Sequence, residues 1–466
     1  MTINLKLTLK PGVPKYLAIS DAIEEAINQG DILAGTRLPT HRELAELMAV
    51  SVQTVSNAYA HAESKGIVDA WVGSGTFVSD YGVEKETEFM LIEDSNVDEG
   101  VIDLSIAHPV CTPQHSQMFN EALIKIAKQD SEALIRAVRP VQGLDHHVEA
   151  AEKWLSSQKL VAEKERIILC NGASHGLLLA LGTVAQPGDV VACEALVDHG
   201  LSARSRMLKV KLCALAIDEE GIIPAAFEEA CQQHTIKALC CTPSMNNPTS
   251  SHMSLARRQA IADIAKRYKV IIIEDDVYGA LEPNRIPPLS SLLPEQAFYI
   301  TSLTKTVAPG MRAGYMVVPR HLIQHTITRL AASCWMASPI AFEVATLWIN
   351  EGKLDRLITF QQQEISARQR MASDIFSGFN YDAHPNGQHI WLELPEGWGS
   401  DELVSAAKAS NIIITGYQPF VVRQDIKVNR VRISLGMESS RFRVKHGLQV
   451  LADILNSSPP LTHFLL

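Results

Sequence analysis

Four short stretches carry residue types that could do chemistry together. The run YITSLTK ends on Lys305, with Ser302 and Thr304 just before it and Arg312 seven residues after it. IIIEDDVY puts Asp275 at the end of an apolar run and Tyr278 three residues later. IKALCCTPS leads into the turn Asn246–Asn247–Pro248–Thr249, and RIILC leads into Asn171–Gly172–Ala173–Ser174–His175–Gly176. An amine can condense with an aldehyde, and a carboxylate can keep a ring nitrogen protonated so that the ring draws electrons. Amide and phenol groups can bond a phenolic oxygen. Small residues opening a helix expose N–H groups to a phosphate at the positive helix end. Pyridoxal phosphate presents all these functions in one molecule. Singly, each residue has a plainer explanation, since an Asp at a strand end often caps a helix and a glycine loop often only turns. Their number and order point to the cofactor.

The elements that must position these residues alternate. RIILC is followed by a helical stretch at 174–185, and DVVAC, IKALCC, KVIIIEDD and AFYITS follow as strand-like runs with helices between. Such alternation predicts an α/β fold with a mostly parallel sheet and flanking helices. Ligands in such folds sit at the carboxyl ends of the strands, where the polar residues gather here. Past about residue 340 a long polar helix (Leu354 to Met371) precedes IWLEL, NIIIT and RVRISL, which predicts a small C-terminal α/β lobe.

The first 80 residues have a different texture. Tyr16, Ile19, Ile23 and Ile27 recur at helical spacing, with Gly30 as a stop. Thr40 and Glu43 form a capping box after Pro39, and Leu44, Leu47 and Met48 give the second helix an apolar face. Ser51 caps a third helix, with Val55, Ala58 and Ala62 inward and Gly66 at its end. Two extended runs around Gly73–Ser74–Gly75 predict a hairpin. Helices joined by a tight turn, then a hairpin, describe a winged helix-turn-helix.

The expected organisation is thus a head at 1–80, a linker at 81–103 and a body at 104–466, its large lobe ending near 340 and its small lobe spanning 341–466. The linker carries eight carboxylates against one lysine. In the whole chain of 466 residues, 42 basic and 52 acidic side chains give a net charge of −10, which excludes a protein that coats nucleic acid non-specifically. The head itself holds six Lys/Arg and nine Asp/Glu. Phosphate neutralisation dominates DNA affinity, so two heads reading paired half-sites are expected rather than one. No apolar run is long enough for a membrane span, and MTINLKLTLKPGVPK meets Pro11 too early for a signal peptide. The eight cysteines show no CxxC or Cys/His spacing, so reduced cytoplasmic thiols and no metal site are expected.

Two resemblances cover nearly the whole chain. Leu38–Pro39–Thr40–His41–Arg42–Glu43–Leu44–Ala45, Val50–Ser51, Thr54–Val55, Ala58–Tyr59 and Gly73–Ser74–Gly75–Thr76–Phe77–Val78 resemble the GntR-type DNA-binding domain. That resemblance implies DNA contacts by Arg42, Ser51, Gln53, Thr54, Asn57, Ser74, Gly75 and Thr76, although Val52 and Asn57 stand where the family often has arginines. Asn247–Pro248–Thr249, Asp275 with Tyr278, Ser302 to Lys305, and Pro309–Gly310–Met311–Arg312–Ala313–Gly314 resemble the fold-type I aminotransferases. The implied roles are a Schiff base on Lys305, a ring-nitrogen partner in Asp275, and phenolic-oxygen partners in Asn247 and Tyr278. Ala173, Ser174, Ser302 and Arg312 would hold the phosphate, and Arg432 an amino-acid carboxylate. A winged helix fused to such a body is similar to the MocR-type regulators, bacterial cytosolic transcription factors of the GntR superfamily. That resemblance implies a homodimer binding double-stranded promoter DNA and sensing pyridoxal phosphate or an amino compound.

Three departures separate the body from a working transaminase. Asp198 stands in the turn where the family stacks an aromatic residue on the cofactor, Val138 replaces a tyrosine that reaches a neighbour's phosphate, and Ser250 replaces a glycine. Regulation is therefore expected over multi-turnover catalysis, the rival being a pyridoxal-phosphate aminotransferase with an accessory winged helix.

Overall fold

The computed structural model describes residues 14–28, 32, 36–64, 67–71, 75–78, 100–129, 132–422 and 428–457. Two units separate, Met1–Ser95 and Asn96–Leu466.

In the first unit, α1 (Lys15–Asn28), α2 (His41–Leu47) and α3 (Val52–Ser64) precede a hairpin of β1 (Val68–Trp71) and β2 (Gly75–Val78). The helical spacing read from the sequence does pack a core, since Ile19, Ile23, Leu44, Val55, Ala58 and Ala62 are all at most 1% exposed. Helix α2 begins as its residues dictate. Thr40 N–H donates to Glu43 Oε2 at 2.8 Å, and Glu43 N–H donates to Thr40 Oγ1 at 3.3 Å. Tyr59 adds a tie from α3, its hydroxyl donating to the Pro39 carbonyl at 2.7 Å. The hairpin pairs Val68 with Val78 and Trp71 with Gly75. Gly30, Gly66, Gly73 and Ser74, expected as stops and turn, lie outside the described residues.

The second unit is built on a seven-stranded sheet. Its strands are β4 (Ile167–Asn171), β5 (Val190–Glu194), β6 (Lys211–Leu215), β7 (Ile236–Cys241), β8 (Ile271–Asp275), β9 (Ala297–Ser302) and β10 (Ala313–Val317). The order is β4-β10-β9-β8-β7-β5-β6, and β10 alone runs antiparallel to its neighbours. The strands read as continuous apolar runs because helices cover both faces. Helix α4 (Asp145–Ser157) precedes β4, α5 (Ala173–Val184) follows it, and α6 (His199–Met207) follows β5.

Helices α7 (Pro339–Asn350) and α8 (Lys353–Ile375) lead to the small lobe. At about 1.5 Å per residue, α8 is long enough to serve two cores. Leu354, Leu357 and Ile358 enter the large-lobe core, whereas Ala372 enters that of the small lobe. The helix read as polar therefore keeps a buried stripe. Its Arg368 is fully buried, donating through Nη1 to Leu435 O at 2.6 Å and through Nη2 to Ser439 O at 2.9 Å. The small lobe carries an antiparallel sheet of β11 (Tyr381–Ala383), β12 (His389–Glu393), β14 (Thr415–Gly416) and β15 (Arg430–Ser434), in the order β11-β12-β15-β14.

One boundary differs from expectation. Ile102–Asp103, assigned above to the linker, form β3, which pairs in parallel with β13 (Ile412–Ile413). Ile102 is 5% exposed and packs in the small-lobe core, so these residues belong to the body. A two-residue strand whose partner lies three hundred positions away leaves no periodic trace.

The capping box is the local determinant of α2. Thr40→Ala should weaken that helix by about 1 kcal/mol. Amide hydrogen exchange in the full-length chain should show faster exchange at Glu43 and Leu44, with α5 unchanged.

Candidate functional site

The carboxyl ends of β4, β5, β7, β8 and β9 bring the expected body residues to one cleft. Gly172, with φ of 81°, opens α5 as its N-cap. A Cβ there would lie 2.9 Å from Arg312 Nη2, so the missing side chain lets the guanidinium close on the turn. Behind it, a Cβ on Gly314 would come within 2.6 Å of the Gly172 carbonyl carbon. Two glycines back to back thus hold the turn against β10. Ser302 is fully buried at the end of β9, and its Oγ accepts from Thr304 N–H at 3.3 Å.

Asp275 ends β8, and its Oδ1 is buried with no hydrogen-bond partner. Burial raises its carboxyl to about 7, Arg204 opposing and Asp198 adding to the rise. Tyr278, 3% exposed, follows and packs edge-on against His389 from the small lobe, with ring centroids 6.2 Å apart. Lys305 Nζ donates to the Ala107 carbonyl at 2.7 Å. Burial lowers the Lys305 amine below its ordinary value; Asp198 works against that, and Arg432 and Arg312 add to it.

Arg432 on β15 is 3% exposed. Its Nη1 donates to Asn247 Oδ1 at 2.8 Å, its Nη2 donates to the Ser105 carbonyl, and its Nε is buried without a partner. The guanidinium lies 4.7 Å from the ring centre of Phe420. Asn247, in turn, donates through Nδ2 to Asp198 Oδ2 at 3.1 Å. Asp198 is also the N-cap of α6, its Oδ1 accepting from Gly200 N–H at 3.0 Å. Burial would raise Asp198, but His199, Arg204 and Lys305 bring it down to about 2. The residue in the aromatic's place is thus a fixed anion.

Reading the sequence missed Arg204. It comes from α6, donates through Nη1 to Ser174 Oγ at 2.9 Å, and leaves its Nε buried without a partner. Its position one helical turn beyond Gly200 was the available signal. Gln388 was also missed; its Nε2 donates to the Lys305 carbonyl at 2.5 Å.

In the head, Arg42, Ser51, Gln53 and Asn57 are exposed and Thr54 half-buried. Gln53 and Asn57 bond each other at 3.0 Å, and Ser51 and Thr54 share a hydroxyl contact at 2.8 Å. Thr76 requires a correction. It is 7% exposed and its carbonyl accepts from Leu38 N–H at 2.8 Å, so it braces the wing and does not present a side chain to a groove. Half-buried Gly75 lies beside Arg37, whose exposed guanidinium packs where a Cβ would sit. Arg37 was not expected, and with Arg42 it gives this unit a second exposed arginine. Ser74 lies outside the described residues.

Residues 100–446 match the family model for aminotransferase class I and II. The chain belongs to this family. Ahead of that match, residues 15–78 fit the model for bacterial regulatory proteins of the gntR family, so the head-plus-body order of MocR-type chains is present. The chain is 28% identical to the HTH-type transcriptional regulator YdeF of Bacillus subtilis over 97% of its own length and 98% of that protein's. It is 26% identical to the HTH-type pyridoxine biosynthesis transcriptional regulator PdxR of Corynebacterium glutamicum, covering 68% of this chain and 70% of that one. Among solved structures, an archaeal alanine:glyoxylate aminotransferase superposes with a TM-score of 0.72 at 19% identity, over 80% of this chain and 93% of that chain. The kynurenine aminotransferase of Pyrococcus horikoshii gives 0.71 at 21%, over 80% and 94%. These two establish the shared fold. The family implies pyridoxal phosphate, and the residues fit it: Asp275 Oδ1 lacks a partner, the Gly172 turn sets the Arg312 guanidinium beside the start of α5, and a half-buried lysine stands just past a strand end.

Because the Asp275 carboxyl is raised in the fold, the native ligand-free chain keeps a proton that the unfolded chain loses above about pH 4. Stability should therefore fall as pH rises from about 4 to about 7. Glu194, raised to about 7 by its burial, adds to that decline, so Asp275→Asn should make it shallower, which thermal melts of the ligand-free chain across this range would measure.

Proposed function

We propose that this chain is a transcription regulator whose winged-helix head binds promoter DNA and whose body holds pyridoxal phosphate. On this reading it senses the cofactor itself or an amino compound joined to it. The observation that carries the reading is the meeting of Lys305, Asp275, Asn247 and Arg432 in one cleft of a chain that opens with a GntR-family head. When bound, the cofactor supplies an aldehyde that takes up amines and a ring that withdraws electrons.

The chain's own residues set the terms. Lys305 is held below its ordinary basicity, so more of it is the neutral amine that condensation requires. Asp275 offers an unpartnered oxygen to a ring N–H, whose positive charge would pull its carboxyl back down. The N–H groups of Ala173 and Ser174 open α5 beside Arg312, a place suited to a phosphate. Arg432 suits a ligand carboxylate by bidentate pairing. Asn247 and Tyr278 are placed for the phenolic oxygen.

The fixed anion at Asp198 supports sensing over turnover. It is bonded to Asn247 and to the α6 N-terminus, so it offers neither a stacking face nor an easily moved group. An effector changes DNA binding only if it favours one arrangement of the heads over another. The acidic head supports a homodimer presenting two heads to paired half-sites in the bacterial cytosol. Among the described residues no helix is long and apolar enough to cross a membrane.

Two variants separate the functions. Reconstitution with pyridoxal phosphate should give a yellow protein, and Lys305→Ala should abolish the colour; a colourless wild type would overturn the cofactor assignment. Arg42→Ala should weaken binding to the chain's own upstream DNA by about 1–3 kcal/mol and leave the colour unchanged. Equal DNA affinity in a salt-controlled gel or anisotropy titration would remove Arg42 from the interface.

A further inference from the structure

Outside the cofactor cleft, one group of side chains converges on a single point. Helix α4 begins at Asp145, placing His146 and His147 in its first turn. Helix α7 crosses it and carries Glu343. Both histidines turn Nε2 toward the same oxygen, Glu343 Oε1; His147 reaches it at 2.9 Å and His146 in a closer contact. His147 is 2% exposed and Glu343 8%, whereas the His146 side chain is half exposed. The buried pair forms the floor of the cluster, and His146 leaves it open to solvent.

We propose that His146, His147 and Glu343 bind a divalent transition metal ion of the zinc class, with water in the fourth position. Two imidazole nitrogens and one carboxylate oxygen form a ligand set that suits such an ion, and three protein ligands with one open position is a recurrent arrangement. The three ligand atoms lie within 4.8 Å of one another. Ligand distances of about 2.0–2.2 Å place the donors of a tetrahedral ion roughly 3.3–3.5 Å apart, so the cluster needs only a small opening. The rings are already side by side, with centroids 4.1 Å apart, and Phe342 lies 6.1 Å from the His147 ring on the protein side.

A second trio shows what a non-ligating cluster looks like. In His252, Glu282 and His384, the His384 Nδ1 accepts from Asn386 N–H at 3.2 Å. Its Nε2 therefore carries the hydrogen and donates it to Glu282 Oε2 at 3.0 Å. Asn386 N–H fixes that tautomer, so the hydrogen on the nitrogen facing Glu282 cannot shift to Nδ1 to leave a lone pair for a metal.

Bound at the first trio, the ion would pin α7 to α4. Helix α7 leads directly into α8, the helix shared by both lobes, so the ion would stiffen the base of the lobe connection.

The test uses the untagged full-length chain, freed of metal by chelator dialysis and without pyridoxal phosphate. Titration with Co2+ should give saturable visible absorption at one ion per chain, displaced by Zn2+. The signal should disappear in His146→Ala, a half-exposed position that leaves the fold intact, and in Glu343→Gln. It should persist in His384→Ala. Zn2+ should raise the melting temperature of the wild type and leave that of His146→Ala unmoved. A wild type without a saturable band, a band unchanged in His146→Ala, or a band lost in His384→Ala would each overturn the assignment.

Discussion

Charges brought out of water must neutralise one another, and the cofactor cleft is organised around that constraint. Asp198 and Asp275 stand inside it against Lys305, Arg204 and Arg432. Removing an ion from water costs several kcal/mol unless partners and hydrogen bonds offset it. Asp198, Asp275, Lys305 and Arg432 accordingly all have shifted pKa values. Asp198 is stabilised as the anion, Asp275 is driven toward the acid, and Lys305 toward the free amine. Two carboxylates in one cleft thus behave oppositely. Asp198 has cations and an N–H donor close by, while Asp275 keeps an oxygen without any partner.

The lobes are arranged to deliver these groups. The large lobe supplies the strand ends and the Gly172 turn, and the small lobe supplies Gln388, His389 and Arg432. The stretch just after β3 completes the cleft through the carbonyls of Ser105 and Ala107. Helix α8 fixes the distance between lobes by entering both cores, and buried Arg368 fastens its far end through carbonyls.

Much of this was legible in the sequence because its signals are local. A strand-ending Asp275 with Tyr278 three residues on, Lys305 after YITSLT, and the Thr40–Glu43 box each declare themselves within a few positions. The strands from RIILC to AFYITS were legible as apolar runs between helices. What escaped depends on the fold. Arg204 looks like any helix arginine until α6 brings it onto Ser174. Thr76 sits in a motif that suggests exposure, yet its strand turns the side chain inward, a matter of β-strand alternation. Ile102–Asp103 resembled linker because a two-residue strand is defined only by its remote partner. The adjacent histidines at 146 and 147 carried no metal-ligand spacing, because their third companion comes from another helix.

The carbonyls of Ser105 and Ala107 have a consequence for how ligands are felt. In the ligand-free chain they already engage the Lys305 amine and the Arg432 guanidinium, the two groups that a ligand bearing an aldehyde and a carboxylate would take up. On the proposed reading, binding at Lys305 or Arg432 would be an exchange of partners, and the affinity would be a difference between two good contacts. Small changes in ligand structure can then tip the exchange either way. A molecule able to engage both groups would free both carbonyls, while one that engages a single group would leave the segment half tethered. Discrimination among amino compounds can thus arise from what the chain must release as well as from what it grips.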